Sequence, residues 1–146
     1  MLFDKVYAII NSSEITEKIL TTGISLAKSF DIDMTVLYLV DTSIIVSEFP
    51  HHDRVISPQH LMVALKIKKQ ARFFLDNIKK NYNTAGVRIT TKLIENQPLA
   101  RVIQKAKRKD LIIIGHTEKS SHIKIFRRNE TKKILRNAPS TVLIVK

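Results

Sequence analysis

The sequence predicts an open, largely parallel five-stranded α/β sheet with helices on both faces, in the expected strand order 3-2-1-4-5. Three observations carry that prediction. Short β-prone runs alternate along the chain with segments of helical periodicity. Several of the runs are nearly continuous in branched apolar residues, as parallel strands buried on both faces require. Capping and proline signals precede the helical segments. Alternation of this kind builds βαβ units joined by right-handed crossovers.

Leu2 to Ile10 is apolar and β-prone, and it breaks at Asn11-Ser12-Ser13. Ser13 is a candidate N-cap, with Glu14 and Glu17 suited to the positive end of the helix that follows. In that helix Ile15, Ile19, Leu20, Leu26 and Ala27 keep helical spacing, and Gly23 is a weak point within it. Met34 to Val40 (MTVLYLV) is the second strand. Residues 41 to 57 form a long connection containing Pro50 and His51-His52. Ser57-Pro58 then supplies an N-cap and a proline at the first helical position. Leu61, Ala64, Leu65, Ala71, Phe74, Leu75 and Ile78 make the expected buried stripe of a long helix, with lysines and Arg72 opposite. Val87 to Ile94 (VRITTKLI) is the third strand. Pro98 opens a shorter helix to about Lys107, with Leu99, Val102, Ile103 and Ala106 inward. Leu111 to Ile114 is the fourth strand, Asn129 to Asn137 the last helix, and Ala138-Pro139 stops it before the fifth strand, Thr141 to Val145 (TVLIV).

In such sheets ligands sit beyond the carboxyl ends of the strands where strand order reverses. With order 3-2-1-4-5 that crevice lies between strands one and four, with Asn11-Ser12 facing Gly115-His116.

Length and composition fit one soluble globular domain over residues 1 to 146. No apolar run approaches the roughly 20 residues of a membrane span. The N-terminal MLFDKVYAII lacks a secretory cleavage pattern, and the expected location is cytoplasmic. The absence of cysteine excludes disulfides, thiolate zinc sites and cysteine nucleophiles. The net charge is +12, unevenly spread: residues 1 to 50 carry 3 − 7 = −4, and residues 51 to 146 carry 22 − 6 = +16. An anionic partner and simple solvation are both compatible with that asymmetry.

The stretch DLIIIGHTEKSSHIKIFRRNETKKIL, residues 110 to 135, is the most informative. A strand ends in Gly115, a basic loop follows, and a helix begins near Asn129. Lys119, Lys124, Arg127, Arg128, Lys132, Lys133 and Arg136 crowd it. Arg127 and Arg128 are the ones placed beside a helix N-terminus, where an anion would sit. Phe126 is the lone aromatic, so base stacking is poorly served and nucleic acid is not the expected partner. His51-His52, His60, His116 and His122 have no carboxylate at ligand spacing, so no metal site is expected. Ser120 and Ser121 near His122 lack an orienting acid, and no catalytic residue is assigned.

From Asp110 to Lys146, DLIIIG and then KKILRNAPSTVLIVK resemble the universal stress protein (UspA-like) family in order and spacing. The LYLVD end of strand two and the Pro98 helix start after Glu95-Asn96-Gln97 fit it as well. The resemblance covers the whole chain and implies that family's Rossmann-like fold. Family members that bind ATP share a loop of Gly, two residues, Gly, nine residues, Gly, then Ser or Thr. Laid on this chain, the glycines fall on Gly115, Glu118 and Arg128, and the hydroxyl residue on Asn129. An adenine-contacting Asp in such members corresponds to Asn11 here. Glu118 puts a negative charge where a polyphosphate would lie, and like charges at about 4 Å repel by roughly 1 kcal/mol even in water. Arg128 exchanges close backbone approach for a guanidinium, which pairs well with phosphate. Asn129 can still cap a helix, and the Asn11 amide can still pair with adenine. The resemblance is therefore to the branch whose ATP loop is degraded.

The expectation is a cytoplasmic stress-response or regulatory protein that acts by binding as a dimer, not as an enzyme, with no tightly held cofactor and no membrane span. The resemblance implies a homodimer through the edge strand 141 to 145, with a regulatory protein as a further partner. Any nucleotide, ATP or AMP, would meet Asn11 and Leu39 with its base and Gly115, His116, Arg128 and Asn129 with its phosphates. The alternatives are an ATP- or AMP-binding member that uses Arg127 and Arg128, with slow hydrolysis, and a basic adaptor for nucleic acid or acidic membrane.

Overall fold

Five parallel strands hydrogen-bond in the order β3-β2-β1-β4-β5. They are β1 (Lys5–Ile10), β2 (Met34–Val40), β3 (Ile89–Glu95), β4 (Asp110–Gly115) and β5 (Thr141–Val145). The helices are α1 (Thr16–Phe30), α2 (Pro58–Asn81), α3 (Leu99–Gln104) and α4 (Arg128–Asn137). The computed structural model describes residues 2–11, 14–42, 58–82, 86–116 and 128–146, with the side chains of 128–131 outside that description. The expected fold class and strand order are those observed.

The alternation of side chains along each strand divides the interior in two. On one face Val6, Ala8, Ile10, Val36, Leu111 and Ile113 pack with Ile19, Leu20 and Ala27 of α1 and Leu75 and Ile78 of α2. On the other, Ile9, Leu37, Ile112 and Ile114 pack with Leu99 and Ile103 of α3 and Ile134 of α4. The three central strands are apolar on both faces for this reason, whereas β3, at the sheet edge, exposes Thr90 and Lys92.

Several local expectations change. α1 begins at Thr16, with Ile15 at the N-cap and no side-chain cap; the expected cap Ser13 lies outside the described residues. Thr16 Oγ1 instead donates to the Asn11 carbonyl at 2.5 Å, tying the helix start to the end of β1. Gly23 is more than a weak point: a Cβ there would lie 3.1 Å from the Met34 side chain, so its lack of a side chain lets α1 approach the sheet. α3 ends at Gln104, short of the expected Lys107, though Leu99 and Ile103 are buried as expected.

The buried stripe of α2 is the largest correction. Ala71, Leu75 and Ile78 are buried, but Leu61, Leu65 and Phe74 are 52%, 54% and 39% exposed. At 1.5 Å rise per residue a 24-residue helix runs about 36 Å, whereas the seven-residue strands beside it run about 23 Å. The N-terminal half of α2 carries the helical pattern beyond the sheet, exposing Leu61 and Leu65, whereas Phe74, in the C-terminal half, still packs edge-to-face on Tyr38. Lys68, on its expected solvent face, pairs with Glu95 of β3 at 2.9 Å.

Candidate functional site

Parallel register fixes which strand ends stand side by side. Ile10 pairs with Tyr38 and Ala8 with Ile113. Carried one residue on, the first register sets Asn11 beside Leu39; carried three on, the second sets Asn11 beside His116. Leu39 near the end of β2, Asn11 just past β1 and His116 just past β4 thus belong to the same end of the sheet, while the β1–β4 pairing itself runs only to Ala8 and Ile113. Alternation assigns all three to the face that carries Leu37, Ile9 and Ile114, the face covered by α3 and α4. Strand order reverses between β1 and β4, which is where the crevice is expected.

Gly115 belongs to the opposite face. A Cβ at this position would stand 2.7 Å from both Ile15 Cγ2 and Ile19 Cδ1. The glycine is therefore required by the close packing of α1 on the end of β4, whatever else it contacts. His116 donates its backbone N–H to the Val145 carbonyl at 2.8 Å, which fixes the strand end against β5. Arg128 and Asn129 open α4, so the backbone of that helix N-terminus is in place. Glu118 and Arg127, with His122 and the rest of residues 117–127, lie outside the described residues.

A cavity of about 570 Å³ opens on the α3–α4 side. Leu39, Val40 and Asp41 from the end of β2, Asn96 to Ala100, Ile103 and Gln104 around α3, and Lys133, Ile134 and Asn137 from α4 line it. Its size is that of a small-molecule site. Of the sequence-predicted site residues, Leu39 lines it; Asn11, Gly115 and His116 end the adjoining strands and are not among its described lining. Its apolar surface comes from Leu39, Leu99, Ile103 and Ile134, and four carboxamides surround it: Asn96, Gln97, Gln104 and Asn137. Carboxamides offer both donors and acceptors, which suits a planar polar group, and Lys133 offers one positive charge.

Asn96, which the sequence did not single out, organises the rim. It holds a left-handed backbone conformation (φ 53°), which asparagine tolerates better than most residues. Its N–H donates to the Val40 carbonyl at 2.9 Å, and its Oδ1 accepts the Thr42 N–H at 2.7 Å. The β3–α3 turn is thereby latched to the end of β2. An asparagine two residues before a helix-opening proline is the available signal, since both are turn residues.

Comparison with known proteins agrees with this geometry. The model of the universal stress protein family matches residues 2–146. A universal stress protein of Methanocaldococcus jannaschii is 26% identical, covering 99% of this chain and 83% of the relative. Among solved structures, the universal stress protein UspA of Lactobacillus plantarum superposes with a TM-score of 0.76 at 19% identity, covering 99% of this chain and 98% of that one. A universal stress protein in complex with cAMP gives 0.64 at 15% identity, over 100% and 99% of the two chains. A family protein of Arabidopsis thaliana with AMP bound gives 0.61 at 14% identity, over 98% and 91%. Sheet order, crevice position and a family match spanning nearly every residue lead to one assignment: the chain belongs to the universal stress protein family.

Proposed function

We propose that the chain is a cytoplasmic binding module of the stress-response type, working as a homodimer by occupancy of its crevice rather than by turnover. The observation that carries this reading is the 570 Å³ cavity at the carboxyl ends of the strands, whose described lining has four carboxamides and only one charge of each sign, Lys133 and Asp41. Such a lining suits the base and sugar of a mononucleotide better than it suits a polyphosphate. That two structural neighbours are described with cAMP and with AMP supports an adenine mononucleotide as the class of ligand. Glu118, at the place of a family glycine, weighs against tight ATP binding.

In this reading Asn11 and Leu39 meet the base, and Gly115, His116, Arg128 and Asn129 stand on the phosphate side, next to the N-terminus of α4. The single domain spans residues 1 to 146. The homodimer forms through β5, an edge strand hydrogen-bonded only to β4 among the described residues, whose Leu143 is 36% exposed. Unpaired apolar edges are normally covered, and a twofold mate covers this one.

Mass spectrometry of freshly purified protein, followed by calorimetric titration with AMP and ATP, tests the ligand. The expected result is no carried-over ATP and an affinity for AMP at least equal to that for ATP. Stoichiometric bound ATP would favour the ATP-binding reading through Arg127 and Arg128 instead. Sedimentation at tens of micromolar tests the dimer: a Leu143→Arg chain is expected to run as a monomer and the unaltered chain as a dimer.

A further inference from the structure

A second cavity, of about 170 Å³, lies on the same face of the sheet, under the short helix α3 and away from the strand ends. Its floor is the sheet itself: Tyr7 and Ile9 of β1, Leu37 of β2, Ile94 of β3 and Ile112 of β4. It exists because α3 has six residues and runs only about 9 Å. Leu99 and Ile103 cover part of that face, and the rest is roofed only by Val102 and Ala106, both partly buried.

Its polar lining is one-sided. Lys92 is exposed on edge strand β3, two residues after Thr90 and two before Ile94, directly across from Leu37 in the register. Lys105 follows α3, and its Nζ donates to Gln97 Oε1 at 3.2 Å, which holds that ammonium at the rim. Both lysines line the cavity, and among the described residues no carboxylate does. A lysine at the edge of an apolar hollow has a plain structural use, its stem covering apolar surface while the ammonium reaches solvent. Two of them around an apolar hollow, with no acid between, also make a complement to an amphipathic anion.

We propose that this cavity binds a small carboxylate with an apolar body about the size of a benzene ring. A dry cavity of about 150 Å³ takes one such ring, so the volume of about 170 Å³ matches a benzoate-sized ligand. The ring lies on Ile9, Leu37 and Ile112, and the carboxylate accepts from Lys92 and Lys105. The site is separate from the crevice of the proposed function, although Gln97 lines both.

The test is an amide chemical-shift titration of the full ¹⁵N-labelled chain with benzoate, benzamide and inorganic phosphate at constant ionic strength. Benzoate is expected to give saturable shifts at Lys92, Val102 and Ile112, with Leu39 unmoved. Benzamide, of the same shape without the charge, is expected to bind at least about tenfold more weakly, and phosphate to leave these amides in place. The Lys92→Met, Lys105→Met double variant is expected to lose at least about tenfold in benzoate affinity. Equal binding of benzoate and benzamide, shifts scattered over surface lysines, phosphate acting as benzoate does, or undiminished affinity in the double variant would each overturn the proposal. Should the double variant fail to fold, the benzoate-to-benzamide ratio on the unaltered chain decides.

Discussion

The two faces of the sheet are made by the same strands and differ in what covers them. Helices of 15 and 24 residues close the α1–α2 face, and α1 lies so near that Gly23 packs against Met34 of β2, while Gly115 of β4 leaves room for Ile15 and Ile19. Helices of six and ten residues cover the α3–α4 face, and both cavities described above open there. The difference teaches that one face supplies stability and leaves the other free to remain underfilled. Protein interiors otherwise pack with few voids larger than a water molecule.

Substitutions can break this contrast. Ile113, fully buried against α1, is expected to cost about 2–5 kcal/mol on truncation to alanine. Ile112→Ala, beside an existing cavity, is expected to cost less, and urea denaturation of the two variants compares the faces directly. Adding volume should show the reverse asymmetry. Gly115→Val meets Ile15 and Ile19 and is expected to lose about 1–3 kcal/mol. Ala106→Leu, which grows into the 170 Å³ cavity, is expected to be neutral or to gain up to about 1 kcal/mol.

Finer effects sharpen the picture of the crevice rim. Asn96→Ala loses the latch to Thr42 and must hold a left-handed backbone without the asparagine amide. About 1–2 kcal/mol is expected. Asn96→Gly keeps the backbone and is expected to lose less, so thermal melts of the pair separate the two causes. Lys68→Ala, which breaks a half-exposed pair with Glu95, is expected to change stability by less than about 0.5 kcal/mol.

Much of the fold was legible locally. β2 and β5 run over the residues read from their apolar stretches, and α2 starts at the proline that signals it. What escaped was whatever depends on a distant partner. Periodicity drew a stripe down α2 but carried no record of where the sheet ends, so Leu61 and Leu65 were assigned to a core that does not reach them. The packing role of Gly115 was not legible, because the helix start that it meets lies about a hundred residues earlier in the chain. Leu39, read as a site residue from the end of β2, does line the cavity, whereas Asn11, Gly115 and His116 are not among its described lining. Asn96 and Lys133 were not singled out for the crevice, since only the packing of α3 and α4 brings them to one cavity.

The central claim is that small ligands enter through the thinly covered face and never through the closed one. An amide-shift titration with AMP tests it most directly. The account expects shifts concentrated at Leu39, Asn96, Lys133 and Asn137, with Gly23, Leu75 and Ile78 unmoved. Shifts centred on the α1–α2 face, or none at the strand ends at millimolar AMP, would contradict it.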